Sequence, residues 1–393
     1  MIFQSVGSQH DLVDSLKHLI SLGGEATRTR LTRHLSRHYQ GEAAVFTKGR
    51  NALSEAVRIA TGGKGKVAIS GFTCYVVVQA VREAGCDVVY LDIEKSDLNF
   101  SAASLEEAIK DDAEIRAVIV QNTLGIPCDI AAIERVTDQH NLYLIEDLAH
   151  CVGATYDDGR EVGKVGDMTM LSFGRDKLLD TVSGGALIVR NPELRVQLRQ
   201  PYADALWRDQ LRDRVYPILM WLIRVSYGVR IGRYIMAGAL KVELIPRSGD
   251  GKIDREAVMP GWQAARVLDR LHYAKNDRRR RLELTRTYQG ILGEDLLLIG
   301  VDDNAAPVRL GLMVKNRARV IAKLRETGMM LEDIWYDCPV GPKRLYPKAG
   351  FPEDKCPNAV AVSHEIINLP THRYVTDEVV KQIAEIIKRE AAV

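Results

Sequence analysis

Six apolar runs recur between Lys66 and Arg190: KVAIS (66–70), DVVYLDI (87–93), RAVIVQN (116–122), LYLIED (142–147), MTMLSF (168–173) and GALIVR (185–190). Each is apolar on nearly every position rather than on alternate ones, the pattern of a strand buried on both faces. The stretch before them, RNALSEAVRIA, and those between them, YVVVQAVREAG, SLEEAIK and DIAAIERVTDQH, have helical length and period. Doubly covered strands separated by helices predict a three-layer α/β/α domain around a mostly parallel sheet. The last two runs lie too close together for a crossover helix, so one strand there is expected to run antiparallel.

A chain of 393 residues is longer than one core usually supports. The division expected is an N-terminal helical segment (1–40), a large domain (41–250) and a smaller C-terminal α+β domain (251–393). After Glu193 the pattern turns to longer helices. Residues 259–292 read as one extended helix or two, with the Arg278–Arg281 run as a solvated face diluted by neighbouring acids, and DEVVKQIAEIIKREA reads as a closing amphipathic helix. The segment 215–240 is apolar but interrupted by Arg224, Arg230 and Arg233, and its longest uncharged run, Val215 to Ile223, is far shorter than the roughly 18 residues a membrane span needs. It is expected to be a helical pair buried against the body or a subunit partner. The alternative is an interfacial helix with its arginines at headgroup level.

Composition excludes more than it assigns. Lys and Arg total 54 against 52 for Asp and Glu, a net charge of +2 that argues against nucleic acid as the main partner. The cysteines Cys74, Cys86, Cys128, Cys151, Cys338 and Cys356 show no CxxC pair and no metal-finger spacing. The N-terminus lacks the basic start and apolar core of a secretory signal, so free thiols in a reducing cytoplasm are expected. No GxGxxG follows the first strand, which speaks against a nicotinamide-binding domain.

In an open α/β sheet, ligands sit beyond the carboxyl ends of the strands, so polar residues that close apolar runs are the first candidates. Asp147 closes one run and could meet a metal, a ribose hydroxyl or a protonated ring nitrogen, although an N-cap is the ordinary task of such an aspartate. Ser172 closes another run, and five residues on stands Lys177, ahead of the Ser183-Gly184-Gly185 turn. A lysine becomes an imine-forming catalyst when burial and nearby cations favour its neutral amine. Gly49 precedes a helix start, where free N–H groups attract phosphate. An anion cradle, a carboxylate and an imine-forming lysine together suit pyridoxal 5'-phosphate.

With those residues in place, the sequence resembles the DegT/DnrJ/EryC1/StrS family of sugar aminotransferases. GRNALSEAV is similar to the family's G-[ST]-x-A-L helix start, and SGFTCYVVVQAVREAGCDVVYLDIE to its P-x-[FY]-T segment. NTLGIPCDIAAIERVTDQHNLYLIEDLAHCVGATYDDGREVGKVGD resembles the family's E-D-x-A-[HQ] stretch. SFGRDKLLDTVSGGALI has the S-F-x-x-x-K spacing before G-G-A, and NLPTHRYVTDEVVKQIAEII resembles the closing L-P-x-[HY] and last helix. The resemblance implies the fold type I architecture and pyridoxal phosphate as cofactor. It also implies a homodimer with sites near the subunit interface, an amino acid donor (glutamate or glutamine) and a keto-sugar acceptor, nucleotide-linked, in amino-sugar or polysaccharide biosynthesis.

By position, Lys177 would form the imine and move protons, Asp147 would face the pyridinium nitrogen, and His150 would lie near the phenolic oxygen. Ser172, Gly49, Arg50 and Asn51 would hold the phosphate. Cys74 stands where the family often has an aromatic covering the ring, with Tyr75 as the substitute. The chain departs from the pattern in residues 241–262, which lack the asparagine of the family's G-x-N-[YF]-R motif that reaches the partner subunit's phosphate. A sugar dehydratase of this family would carry histidine in place of Lys177. A catalytically silent pyridoxal-binding scaffold would have no need of that lysine.

Overall fold

The computed structural model describes residues 3–4, 10–245, 249–293, 299–331 and 335–391. Helices α1 (Leu12–Ile20) and α2 (Glu25–His38) lead into β1 (Glu42–Phe46). Alternating elements follow: α3 (Gly49–Thr61), β2 (Lys66–Ser70), α4 (Tyr75–Glu83), β3 (Asp87–Leu91), α5 (Ala102–Asp111), β4 (Ile115–Val120), α6 (Ile130–Gln139) and β5 (Tyr143–Asp147). Two strands without an intervening helix, β6 (Met168–Ser172) and β7 (Gly185–Val189), complete the run. All six apolar runs are strands.

The sheet order is β1-β7-β6-β5-β4-β2-β3, extended beyond β1 by the two-residue strands Ala257–Val258 and Ala203–Asp204. From β3 to β6 neighbouring strands are parallel, and β7 runs antiparallel between β6 and β1. Strand β1 is not among the six runs because EAAVF carries too little bulk to stand out. It still contributes to both faces: Ala44 and Phe46 enter the core under α3 and α4, Ala43 and Val45 the core under α2, α5 and α6. Successive side chains point to opposite faces, so continuous apolarity is what a sheet covered on both sides requires.

Helices α7 (Trp207–Ser226) and α8 (Ile231–Lys241) form a hairpin, and α9 (Gly261–Leu292) is one unbroken helix of 32 residues. Beyond it, β8 (Arg309–Met313), α10 (Arg317–Glu326), α11 (Pro357–Glu365), β9 (Ile366–Pro370) and α12 (Asp377–Ala391) follow. Strands β8 and β9 pair antiparallel from Arg309–Pro370 to Met313–Ile366. The expected boundary at 250/251 falls too early. Met259, Ala264 and Val267 belong to the core of the large sheet, whereas Leu284, Tyr288 and Leu292 pack with Leu310, Leu369 and Ile383 in a second core. The changeover therefore lies inside α9.

The apolar segment 215–240 is half buried rather than enclosed. Tyr216, Met220, Ile223 and Ala239 pack with Val182, while Leu222, Val225, Val229, Ile231 and Tyr234 face outward. No helix among the described residues is long and apolar enough to cross a membrane. The hairpin is held by a close backbone approach: a Cβ on Gly232 would lie 2.2 Å from the Ile223 carbonyl oxygen. A bulkier residue must push α8 off α7, and overpacking of this kind costs about 1–3 kcal/mol. Gly232→Val is expected to speed amide exchange across residues 207–241 and leave exchange in α3 and α4 unchanged, as read by hydrogen–deuterium exchange.

Candidate active site

Glu146 and Asp147 are neighbours at the end of β5, and the alternation of a strand sends them to opposite faces. Glu146 is fully buried and accepts hydrogen bonds from the N–H groups of Gly163 (2.6 Å), Val165 (2.8 Å) and Gly166 (2.7 Å) and from the Tyr156 hydroxyl (2.9 Å). Arg190 completes its ring of partners, so Glu146 staples the 156–166 loop and has no capacity left for a ligand. Asp147 is also buried, with Oδ1 accepting from the Ala149 N–H at 2.8 Å. Burial pushes its carboxyl up to about 6, against the pull of Lys177.

His150 follows on the same face. Its Nδ1 accepts the Leu124 N–H at 3.2 Å, which requires a lone pair there and places the proton on Nε2, 3.4 Å from the Tyr336 hydroxyl. Burial, with Lys177 and Arg309 adding to it, holds the imidazole well below its usual range, so it is neutral. The Trp335 indole stacks on His150 with ring centres 5.2 Å apart, and the Lys177 Nζ lies 4.5 Å from the centre of the same indole. Burial lowers the Lys177 pKa, with Arg309 adding to it and Cys74, Asp147 and Asp176 opposing. The amine is thus easier to deprotonate than an exposed lysine.

The turn that carries Lys177 is stitched by one buried carboxylate. Asp180 accepts the N–H of Asp176 at 2.9 Å and that of Val182 at 2.8 Å, two residues held in the left-handed region with φ of 64° and 72°. The Thr181 N–H returns to the Phe173 carbonyl at 3.0 Å and closes the loop on the end of β6. Asp180 is fixed in turn from outside. His10, just ahead of α1, sets Nε2 3.4 Å from Asp180 and Nδ1 2.7 Å from Asp14, so both ring nitrogens face carboxylates. Burial alone would depress His10; the two aspartates outweigh it and raise its pKa, favouring an imidazolium. Arg270 of α9 donates to the Asp180 carbonyl at 3.2 Å and to the Asp14 carboxylate, which also pairs with Arg266 at 2.6 Å.

At the other edge, α3 begins against the ends of β6 and β7. A Cβ on Gly49 would lie 2.9 Å from the Ser172 Oγ, and one on Gly185 would lie 2.5 Å from the Gly49 Cα. Only glycines let the helix start approach the Ser172 hydroxyl this closely. The N-cap residue Lys48 offers no side-chain hydrogen bond to the first turn, which leaves that end suited to an anion. Arg50 borders the cradle, its Nη1 donating to Gln79 (3.2 Å), Gly249 (3.3 Å) and Gly251 (3.0 Å). Cys74, half-buried at the end of the Thr73–Cys74 strand, lies close enough to act electrostatically on both Lys177 and Arg50.

Two expected site residues are used otherwise. The Asn51 side chain is buried, donating to Thr47 Oγ1 at 2.9 Å and accepting the Asp254 N–H at 3.2 Å, so it ties down a loop instead of facing the cradle. Tyr75 packs at the edge of the apolar core near Tyr90, which leaves Cys74 as the member of the pair that borders Lys177. Three residues escaped the sequence reading. Trp335 and Tyr336 reach the site from a loop that packs on the core of the large sheet, and Arg309 comes from β8, its guanidinium 4.1 Å from the Trp335 ring centre and 3.8 Å from Asp176. The adjacent aromatics in DIWYDCP were the available signal, but they lie about 160 positions from Lys177.

Breaking the Asp180 staple leaves His10 and the turn's N–H groups without their acceptor. Asp180→Ala is expected to lose about 3–5 kcal/mol in urea denaturation, the cost of removing one partner from a buried ion pair. The raised His10 pKa sets the sign of its pH dependence: its contribution is complete below the ordinary histidine value and is lost as pH rises through the folded one. The difference in stability between the native chain and His10→Ala should therefore shrink on the alkaline side.

Comparison with known proteins shows the family and the fold. The family model for the DegT/DnrJ/EryC1/StrS aminotransferase family matches residues 12–388. The spore coat polysaccharide biosynthesis protein SpsC of Bacillus subtilis is 25% identical over 368 residues, covering 89% of this chain and 88% of that protein. The GDP-perosamine synthase of Caulobacter vibrioides is 26% identical over 339 residues, covering 85% and 82%. Among solved structures, the putative sugar aminotransferase Spr1654 from Streptococcus pneumoniae in its PLP-form superposes with a TM-score of 0.75 at 18% identity, covering 100% of this chain and 99% of that one. Helicobacter pylori PseC, an aminotransferase involved in the biosynthesis of pseudoaminic acid, gives a TM-score of 0.73 at 16% identity, with 100% of each chain covered.

Proposed function

The chain belongs to the DegT/DnrJ/EryC1/StrS aminotransferase family of pyridoxal phosphate-dependent transaminases, and from that premise we propose that it moves an amino group from glutamate or glutamine to a keto group on a nucleotide-linked sugar. The observation that carries the reading is the convergence of Lys177, Asp147 and His150 at one end of the sheet, beside a glycine-built anion cradle. Relatives named for perosamine and UDP-sugar amination support the sugar acceptor. We infer further a homodimer working in the cytoplasm; the six cysteines are all free.

The residues present fit the cofactor. Gly49, Ser172 and Arg50 would hold its phosphate, and Asp147 its ring nitrogen through the carboxylate oxygen not taken by Ala149. His150 would donate Nε2–H to its phenolic oxygen. Pyridoxal phosphate, when bound, supplies the electron sink that makes a proton on the substrate carbon removable. Lys177 would act as the base there: with its pKa lowered by burial, Nζ would take the proton from the substrate carbon and give one back, once in each half-reaction. The Trp335 indole and the neutral His150 ring close the site around the amine and limit water at Nζ.

Lys177→Ala is expected to lose at least about 10²–10⁴-fold in transamination, the usual worth of a positioned acid–base group. It should also lose the visible absorption that pyridoxal phosphate gains on a lysine amine. Full turnover in that variant would refute the assignment.

Asp147 gives a pH test that does not depend on turnover. Its pKa is raised to about 6, so in the ligand-free chain the carboxylate forms only as pH climbs past that value. The stability cost of burying it builds as pH rises from the ordinary carboxylate value to about 6 and is complete above that, and a bound pyridinium offsets it. The rise in melting temperature on adding pyridoxal phosphate should be larger at pH 7.5 than at pH 5 by differential scanning fluorimetry. In Asp147→Asn the difference between the two rises should be smaller.

A further inference from the structure

We propose that the outer face of the α7–α8 hairpin seats this enzyme on an anionic membrane surface. Between Asp213 and Glu243 the sequence has no acidic residue and five cations: Arg214, Arg224, Arg230, Arg233 and Lys241. Two of these are committed inward, Arg214 to the Leu19 carbonyl and Arg224 to the His10 carbonyl. The other three are exposed. They are interleaved with large apolar side chains that also face outward: Leu222, Val225, Val229, Ile231 and Tyr234, the tyrosine at 78% exposure and Val229 at 69%.

On α7 the outward positions 222 and 225 follow helical spacing, Val229 faces outward from the turn between the helices, and on α8 Ile231 and Tyr234 are again three residues apart. This is not random scatter of apolar residues over a surface. Alongside, α1 packs on α7 and leaves Leu16 and Ile20 exposed.

An apolar helical face bordered by arginines and free of acids matches the physics of an interfacial helix. The aliphatic and aromatic groups enter the headgroup boundary while the cations meet lipid phosphates. The pair is too short and too interrupted to span, so it would lie in the plane of the surface. Charge decides against the other natural occupant, a second copy joined by a two-fold contact. Such a contact sets the same patch against itself, and Arg230, Arg233 and Lys241 would meet their own copies with no carboxylate between Asp213 and Glu243 to offset them.

The inner face of the hairpin connects the seat to the chemistry. The Arg175 guanidinium lies 5.2 Å from the Tyr216 ring centre, and Ser183 Oγ donates to the Asp213 carboxylate. Residues 175 and 183 flank the turn that carries Lys177, which stands one helix behind the seated face. The proposal does not depend on the sugar acceptor assigned above, and its readout is lipid binding rather than turnover.

The test is flotation of the full-length holoenzyme with vesicles of phosphatidylcholine, alone or mixed with phosphatidylglycerol. The protein is expected to float with the mixed vesicles only and to be released as salt is raised. Each cation near the surface is worth about fivefold in partition, so Arg230→Gln with Arg233→Gln should lower binding about 25-fold. Tyr234→Ser should lower it at every salt concentration without altering the salt dependence. If the double variant misfolds, seen as loss of its cofactor absorption, the salt release of the native chain reads the same charge contribution.

The proposal is overturned if the native protein ignores the mixed vesicles, or if these variants float as well as it does. It is equally overturned if Tyr234→Ser splits an oligomer into single chains in analytical ultracentrifugation, because the face is then a contact between copies.

Discussion

The buried pairing of Asp14 and Asp180 through His10 is the interaction on which the rest of the site stands. Asp14 belongs to the first helix and Asp180 to the turn that carries Lys177; Arg266 and Arg270, which pair with the Asp14 carboxylate, belong to α9, while His10 faces Asp180. Arg373, from the loop after β9, comes within 3.5 Å of the same Asp14. Four distant stretches of chain thus converge on two carboxylates. Desolvating so many charges is expensive, and their mutual attraction recovers the cost only where every oxygen has a donor. That demand makes the network intolerant of displacement, and its rigidity is inherited by the two strained residues, Asp176 and Val182, that bracket Lys177.

The groups facing the ligand are set in the opposite way. Lys177 and His150 are pushed toward neutrality, and Asp147 holds its proton to about pH 6, because burial outweighs their neighbours at each one. The site is short of compensating charge, while the network behind it pairs each carboxylate with cations. A ligand that brings a protonated ring nitrogen and a phosphate supplies what is missing, which is a physical reason for the tight retention of such a cofactor.

Much of this was legible in the sequence. Continuous apolarity identified the strands and both covering layers, and the short gap before Gly185 foretold the antiparallel turn. Lys177, Asp147, Ser172 and Gly49 could be proposed as site residues from the sequence because each sits at or just after the end of a strand or at the start of a helix. Asn51 was misjudged because a residue one turn into a helix can face either way, and its partners, Thr47 and Asp254, are not given by spacing. Trp335, Tyr336 and Arg309 were out of reach for a different reason: they come from the last third of the chain, and only tertiary packing brings them beside residues near 150 and 177. Segment 215–240 showed its apolarity but not its sidedness, because the pattern on α7 blends a buried stripe with an exposed one.

Helix α9 gives the molecule a mechanical property that neither core has alone. At 32 residues it extends about 48 Å, with its first turns built into the sheet domain and its last into the β8–β9 core. No flexible linker separates the two halves along this path; the connection is itself hydrogen-bonded and packed at both ends. Loosening either core exposes one end of a continuous helix whose other end is still held, so each half resists the melting of the other. The two cores should behave as a single cooperative unit, unlike domains joined by a hinge.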